Sequence, residues 1–375
     1  MNILHINSYF STSRLFSNLY ERQIQKGHEL TVYVPIAYEY PKDKIAASGD
    51  YTDIVTTHHQ WDRLLFHYKH RKILKDIQQR YAFAHFDLIH AHSLFSNGWV
   101  ARQLFLSHQI PYIVAVRNAD VRTFFQKAPW LRSVGLNIMR DAQAIVFISE
   151  NSYKEVFDHY VPAKDQEALK AKTKVIVNGI DDYWHLNAYD HKTTDLHQPL
   201  RIISTGKLLP GKRFIQLAEM VQNLSSQIGP IEFHVVGPDW EPKIAQELRE
   251  MDFVTYHGPL APSELAQLYR QMDIFALLSY PETFGLVYPE AMSQGLPVIY
   301  TRNEGFDSFF DNYQVGVSVD RFSQEEFNEA VTYICSHYAA LVKAAVKGIY
   351  PFKWDRIIED YERIYHKVLM TASRK

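Results

Sequence analysis

SYPETFGLVYPEAMSQGLPVI, residues 279–299, sets two glutamates, Glu282 and Glu290, eight apart in an otherwise apolar stretch. Pro289 lacks an N–H and fits only the first turn of a helix, so the stretch predicts a helix from about Leu286 to Gln294. Gly295 and Pro297 then end it, and Pro297 to Tyr300 reads as a buried strand. The order is loop, helix, strand, with carboxylates and free N–H groups facing one space. That combination suits a phosphate ester flanked by hydroxyl-rich groups.

Working outward, the same alternation runs through the chain. Short apolar runs such as NILHI, LTVYV, DLIHAH, YIVAV, AIVFIS and VIVNG fall in the first half, and LRIISTG, EFHVVG, FVTYHG, IFALLS and PVIY in the second. Segments of helical period separate most of them, for example Leu15 to Gln25 and Ser263 to Arg270. Such alternation predicts an α/β chain with two Rossmann-like, doubly wound parallel sheets. Two such domains facing each other create a cleft at the carboxyl ends of their strands. The polar segment 181–199 is the best linker candidate. The expected domains are 1–184, 185–350 and a terminal helical segment, 351–375, that could return to the N-terminal domain. Its apolar positions are Phe352, Trp354, Ile357, Ile358, Tyr361, Ile364, Tyr365 and Val368.

The 375 residues exceed one ordinary core. A single cysteine, Cys335, excludes an internal disulfide framework and fits a reducing compartment. No basic segment followed by a long apolar core opens the sequence, and no run of 18 apolar residues occurs. A cytoplasmic location is therefore expected. Through Trp184 there are 22 Lys and Arg against 18 Asp and Glu, and after it 18 against 24. This asymmetry is too small for nucleic-acid binding. It suits an N-terminal half that meets an anionic surface or substrate. The segment 61–80, WDRLLFHYKHRKILKDIQQR, places Trp61, Leu64, Leu65 and Tyr68 on one face with basic residues beyond. It reads either as peripheral contact with anionic lipid at the inner face of the membrane or, more plainly, as a packed helix with a solvated basic face.

Three further motifs accompany the opening stretch. STGKLLPGKRF offers Gly206, Lys207 and Lys212 in a cationic turn after a strand, while HVVGPDW and TYHGPL end strands at glycines, leaving room for a ligand beside the backbone. VIVNGID carries Asn178, Gly179 and Asp181. In this order they resemble the retaining GT-B glycosyltransferases of family four over nearly the whole chain. The E-x7-E pattern of that family falls on Glu282 and Glu290, within S-x-x-E-T-F-G-L-V. The resemblance implies a hexosyl or N-acetylhexosaminyl transfer from a nucleotide sugar to a hydroxyl acceptor. UDP is favoured over GDP as the nucleotide, and glycan or glycolipid synthesis is the setting. It also implies that Glu282 contacts the donor sugar and Glu290 the ribose, with Lys207 and Lys212 on the diphosphate. Gly206, Thr283, Phe284, Gly285 and Leu286 complete the donor motif.

Two departures from the family stand out. A glycine pair usual after the first strand is replaced by NSYFSTSRLF, with Ser11, Thr12 and Ser13 as candidate helix caps. Where the family usually has His-Gly-x-Asp, Arg117 and Asn118 replace the first two and Asp120 remains. Arg117 is therefore a candidate catalytic donor group. Strand-end placement makes Asn7, His92, Ser96, Asn97, Asn118 and Asp120 candidates for the acceptor side, and Tyr256 with His257 for stacking on a nucleobase. His90 and His92 share a strand face, but a polar strand end beside the cleft explains them better than a metal. Two ammonium groups at the leaving diphosphate remove the need for a metal, and no zinc-type spacing of Cys and His occurs. A non-catalytic glycan-binding subunit of the same fold and a nucleotide-sugar epimerase remain alternatives. No G-x-G-x-x-G follows an early strand, which argues against a dehydrogenase.

Overall fold

The computed structural model describes residues 1–11, 15–192, 195–282 and 284–372. The chain divides into two compact units, one of Met1–Val177 with Trp354–Lys375 and one of Asn178–Lys353.

The first unit is built on β1 (Asn2–Ile6), β2 (Glu29–Ala37), β3 (Thr52–His58), β4 (Leu88–Ala91), β5 (Tyr112–Val116), β6 (Ala144–Phe147) and β7 (Thr173–Val175). These form a parallel sheet in the order β3-β2-β1-β4-β5-β6-β7. The second unit holds β8 (Leu200–Thr205), β9 (Ile231–Val236), β10 (Val254–Tyr256), β11 (Ile274–Leu277), β12 (Val298–Thr301) and β13 (Gly316–Val319), parallel in the order β10-β9-β8-β11-β12-β13. The expected pair of doubly wound sheets is present. Central strands such as β4, β5 and β11 are buried at every position, because helices cover both faces of a parallel sheet, and this is why they read as unbroken apolar runs. Strand order reverses between β1 and β4 and again between β8 and β11. In such sheets the ligand crevice opens at that reversal, beyond the carboxyl ends of the strands.

The helix Trp354–Ala372 belongs to the first unit. Its buried face, including Trp354, Ile357, Ile358, Tyr361 and Tyr365, joins one core with Ile3, Phe16 and Tyr20. Polar contacts fix its register: Gln23 donates to the Tyr365 hydroxyl at 2.7 Å, which also meets His90 Nδ1 at 2.8 Å, and Arg22 donates to Asp355 at 2.8 Å. Phe352, expected on this helix, lies instead in a short turn of the second unit, packed edge-on against Phe284 and Phe309. Tyr365→Phe would strand two buried partners, so a loss of about 1–3 kcal/mol is expected. Thermal denaturation of the full chain checks this, and an unchanged midpoint would show the hydroxyl bonds to be worthless.

The segment 181–199 is not a free linker. Asp181 caps the helix Asp182–Leu186 by accepting from the Tyr183 N–H at 2.9 Å, and Trp184 is buried beside Tyr269. Lys192 is buried too, donating to the carbonyls of Tyr269 and Arg270 at 3.2 and 2.9 Å. These carbonyls end the helix Pro262–Arg270, where a cation is favoured. The passage between units thus falls at Val177–Asn178, ahead of residue 184, and again at Lys353–Trp354. Among the described residues no helix is long and apolar enough to cross a membrane.

Candidate active site

In the second unit the reversal point brings the ends of β8 and β11 together. After β8, Gly206 runs into the turn Pro210–Lys212, and after β11 the chain passes through Ser279 and Glu282 to the helix Val287–Ser293. The Tyr280 N–H donates to the Gly211 carbonyl at 2.7 Å, which ties the two loops. A Cβ on Gly211 would stand 3.0 Å from the Tyr280 carbonyl oxygen, tight enough to explain the glycine. Lys212 Nζ then reaches Glu282 Oε2 at 2.5 Å, and Ser279 Oγ donates to the same oxygen at 3.0 Å. Burial pushes the Glu282 pKa up, but the Lys212 charge, the two side-chain donors and the Phe284 N–H outweigh it and hold the carboxyl below its usual range. The Glu282 side chain is 12% exposed and that of Lys212 26%, so the pair is poorly screened yet reachable.

The loop is clamped from its other side by Glu304, which sequence reading did not single out. Its Oε2 accepts from the Glu282 N–H at 2.6 Å, while the Gly305 N–H donates to the Glu282 carbonyl at 2.9 Å. The Glu282 N–H and carbonyl are therefore both bound within the unit. The helix that follows has seven residues, so its end field is small and positive charge at this site rests mainly on lysine. Gly285 has φ +77° and a Cβ there would lie 2.4 Å from the Tyr288 ring, so only glycine lets the loop turn into the helix.

Glu290 behaves oppositely to Glu282. No described group donates to its carboxylate, and burial, with the charge of Asp181 adding, pushes its pKa up to about 8. A carboxyl of this kind lacks hydrogen-bond donors, which a ligand's hydroxyl groups can supply.

The other donor-side candidates divide. Gly206 lies beside Lys212, whose Cε would be 3.7 Å from a Cβ at that position. Lys207 is exposed and lies over the Trp240 ring at 4.3 Å, not against Glu282. Phe284 is buried against Phe309 and Phe352, so its side chain serves the core. Leu286 supplies the carbonyl that accepts the Glu290 N–H at 3.2 Å. Tyr256 donates its hydroxyl to the Gly237 carbonyl at 2.8 Å and carries Arg249 over its ring, while His257 stacks on His234. Gly237 is required by backbone, since a Cβ would come within 1.8 Å of the Gly206 carbonyl oxygen; at Gly258 the space is open. Thr283, and the cap candidates Thr12 and Ser13, lie outside the described residues.

In the first unit several acceptor candidates are used internally. The Asn7 amide donates to the Tyr20 hydroxyl at 2.8 Å and accepts from the Tyr9 N–H at 3.0 Å. Asp120 is buried and accepts three backbone N–H groups, from Leu94, Phe95 and Arg117, at 2.8–3.0 Å. Burial nonetheless raises its pKa to about 6. It clamps the segments that follow β4 and β5 to each other. Asn97 is buried near the start of the helix Ser96–His108. Arg117 lies beside this clamp, 8% exposed, donating to the His92 carbonyl at 3.3 Å. Ser96 and Asn118 remain partly exposed at the strand ends.

His92 and His90 are not exposed at the strand end, where the sequence predicts a polar surface. Both are fully buried with His5, because their shared face is the one covered by Tyr20 and Tyr365. Burial depresses the pKa of each well below the usual histidine range. The ligating atoms of the three lie within 4.8 Å of one another. However, the His90 and His92 rings stack at 4.0 Å with planes 21° apart, so their in-plane lone pairs run side by side and do not converge on one ion.

Comparison with known proteins identifies the family and the fold. A family model described as Glycosyltransferase Family 4 matches residues 12–183, and one described as Glycosyl transferases group 1 matches residues 188–347. The D-inositol 3-phosphate glycosyltransferase of Mycolicibacterium smegmatis is 25% identical over 304 residues, covering 74% of this chain and 68% of that one. The chain spans about two thirds of the length of such curated relatives, 68% and 66% for the first two. Sucrose-phosphate synthase from Thermosynechococcus elongatus shares the fold with a TM-score of 0.76 at 19% identity, over 99% of this chain and 100% of its own. HepE of Anabaena in complex with UDP does so with a TM-score of 0.71 at 16% identity, over 98% and 100%. With both halves matched in succession and the pair of doubly wound sheets shared end to end, the chain belongs to the GT-B glycosyltransferases of the family-four type.

Proposed function

We propose that the enzyme moves a hexosyl or N-acetylhexosaminyl unit from a UDP-sugar to a hydroxyl acceptor with retention of anomeric configuration, in the assembly of a glycan, cell-surface polysaccharide or glycolipid. The observation that carries this reading is the Lys212–Glu282 pair at the reversal point of the second sheet, with the donor-poor Glu290 one helix turn into the following element. Glu282 takes the sugar hydroxyls, Glu290 the ribose, and Lys212, joined by a swing of Lys207 from Trp240, the diphosphate. Arg117 would act from the acceptor side, near Ser96 and Asn118. UDP is favoured over GDP on the family prior and on the UDP bound to HepE of Anabaena, which shares the fold.

Screening UDP-, GDP- and ADP-sugars for thermal stabilisation tests the donor, because a ligand that binds only the folded state raises the midpoint once its concentration exceeds Kd. Stabilisation by GDP- or ADP-sugars alone would overturn the UDP reading. We further propose that no metal is needed, since ammonium groups meet the charge of the leaving diphosphate. Turnover is expected to persist in excess chelator. Complete loss there, restored by Mg²⁺ or Mn²⁺, would overturn this. A cytoplasmic place of action belongs to the same proposal.

A further inference from the structure

Large apolar side chains exposed singly need no explanation, but one group in the first unit is contiguous. Trp61, Leu64, Leu65 and Tyr68 fall within eight residues and are 55%, 87%, 55% and 46% exposed. The expected single helix over 61–80 is divided into a turn, Gln60–Leu64, and the helix Phe66–Arg80, which packs through His70, Ile73 and Ile77 and leaves this group outside. Tyr38, 57% exposed, extends it. Its ring lies 4.7 Å from that of His59, which stacks on Trp61 at 6.1 Å, and Trp61 on Tyr68 at 6.3 Å. Lys72 closes the row, 4.3 Å above the Tyr68 ring.

The charge around this surface is predominantly positive. Between Trp61 and Lys75 there are Arg63, Lys69, Arg71, Lys72 and Lys75 against one acid, Asp62, which is buried and already bound by Lys72 at 2.8 Å. From neighbouring elements Glu39 faces the group, bonded to His59 and to the Gln60 N–H, and Asp76 is held by Arg80 and Tyr33. Arg63, Arg71 and Lys75 are exposed, and none forms an ion pair with a described residue. Aromatic and aliphatic groups rimmed by unneutralised cations match a bilayer with anionic head groups, which offers both an apolar boundary and negative potential.

Position adds the functional consequence. Tyr38 follows β2 and His59 follows β3, so the row lies at the carboxyl edge of the sheet, as do Ser96 and Arg117. Phe66 touches Phe124 at 5.7 Å and His67 meets Trp99 at 6.2 Å, linking this surface to the elements that carry Ser96 and Asp120. We infer that this surface seats the first unit on an anionic lipid bilayer and that the acceptor hydroxyl is borne on a lipid. The second half of the inference rests on the proposed transfer reaction, whereas docking is independent of it.

The test is sedimentation with phosphatidylcholine vesicles, with and without phosphatidylglycerol, in the absence of any sugar nucleotide. The chain is expected to sediment with the anionic vesicles only. Arg63→Gln/Arg71→Gln/Lys75→Gln should weaken partition on the order of a hundredfold at low salt, and less at 1 M salt, where screening acts within about 3 Å. Trp61→Ser/Leu64→Ser/Leu65→Ser should weaken it by a similar order at every salt concentration. All six residues are exposed, so both variants should keep the parent's thermal midpoint and its stabilisation by nucleotide sugar. Failure of the parent to sediment at low salt would overturn the inference, as would variants that partition like the parent. So would a dimer in light scattering that the apolar variant abolishes while vesicle binding is unchanged, since the surface would then join two copies. Docking without transfer to a lipid-borne hydroxyl would leave the surface assigned and overturn the acceptor.

Discussion

Replacement of Lys212 by alanine is expected to lower turnover by about 10²- to 10³-fold, the usual consequence of removing one donor aimed at charge that develops in the transition state. KM for the donor should change much less, because charge on the leaving diphosphate grows only as the bond breaks. The 2.5 Å contact with Glu282 adds a second effect. Without the ammonium group Glu282 remains buried with Ser279 and the Phe284 N–H as its donors, so its pKa should rise and activity should fall further toward low pH. Glu282→Gln keeps the size of the side chain, removes the charge and should also cut turnover more than nucleotide affinity. Since the two act as a unit, the double variant should lose far less than the product of the single losses. Steady-state and single-turnover kinetics separate these outcomes. A raised KM with full kcat would make Lys212 a ground-state anchor, and full turnover in both single variants would reduce the pair to structure.

For Glu290 the expected signature is a pH dependence. Its carboxyl, with a pKa near 8, is protonated in the free protein at neutral pH, and the ionised form accepts better from a ribose diol. Binding should therefore lower the pKa and release a proton, so that UDP affinity rises with pH and levels off above about 8. Titration calorimetry in buffers of different protonation enthalpy measures that proton. Glu290→Gln should flatten the profile and weaken UDP and UDP-sugar alike, because both contain the ribose. The free protein should show the opposite trend in stability. The folded pKa is raised from about 4.5, so the folded state holds the extra proton between these values and stability falls as pH rises through that window. If Glu282→Gln loses UDP affinity while Glu290→Gln keeps it, the two assignments exchange.

What could be read beforehand follows from which forces leave a local trace. Central strands are buried on both faces, so β5 and β11 stand out as apolar runs. The two strands without a distinct apolar run, β3 and β13, lie at the outer edges of their sheets. TDIVTTH is half polar because one side of an edge strand meets water, and GVSV is too short to be distinctive. The helix after Glu282 was legible from Pro289 and Gly295. The clamp from Glu304 was not, because a carboxylate that meets a backbone N–H 22 residues away leaves no spacing rule. Asn7, His92 and Asp120 stand at strand ends, where polar residues usually meet ligands. Here their partners, Tyr20, His5 and three N–H groups, come from elsewhere in the chain. Exposure of Trp61 and Leu64 was equally invisible, since an apolar face looks the same whether a core or a membrane covers it.

The terminal helix has a consequence for the order of events during synthesis. The first unit leaves the ribosome ahead of the second, yet one face of its sheet is completed by residues from Trp354 onward. At roughly 5–20 residues per second, making the intervening second unit takes on the order of 10–40 s. Throughout that interval Ile3, Phe16 and Tyr20 lack their eventual cover, and the apolar face they form is open to self-association or to chaperones. The second unit is contiguous, from Asn178 to Lys353, and meets no such delay. Synthesis therefore lets the second unit close its core before the unit made ahead of it can close its own.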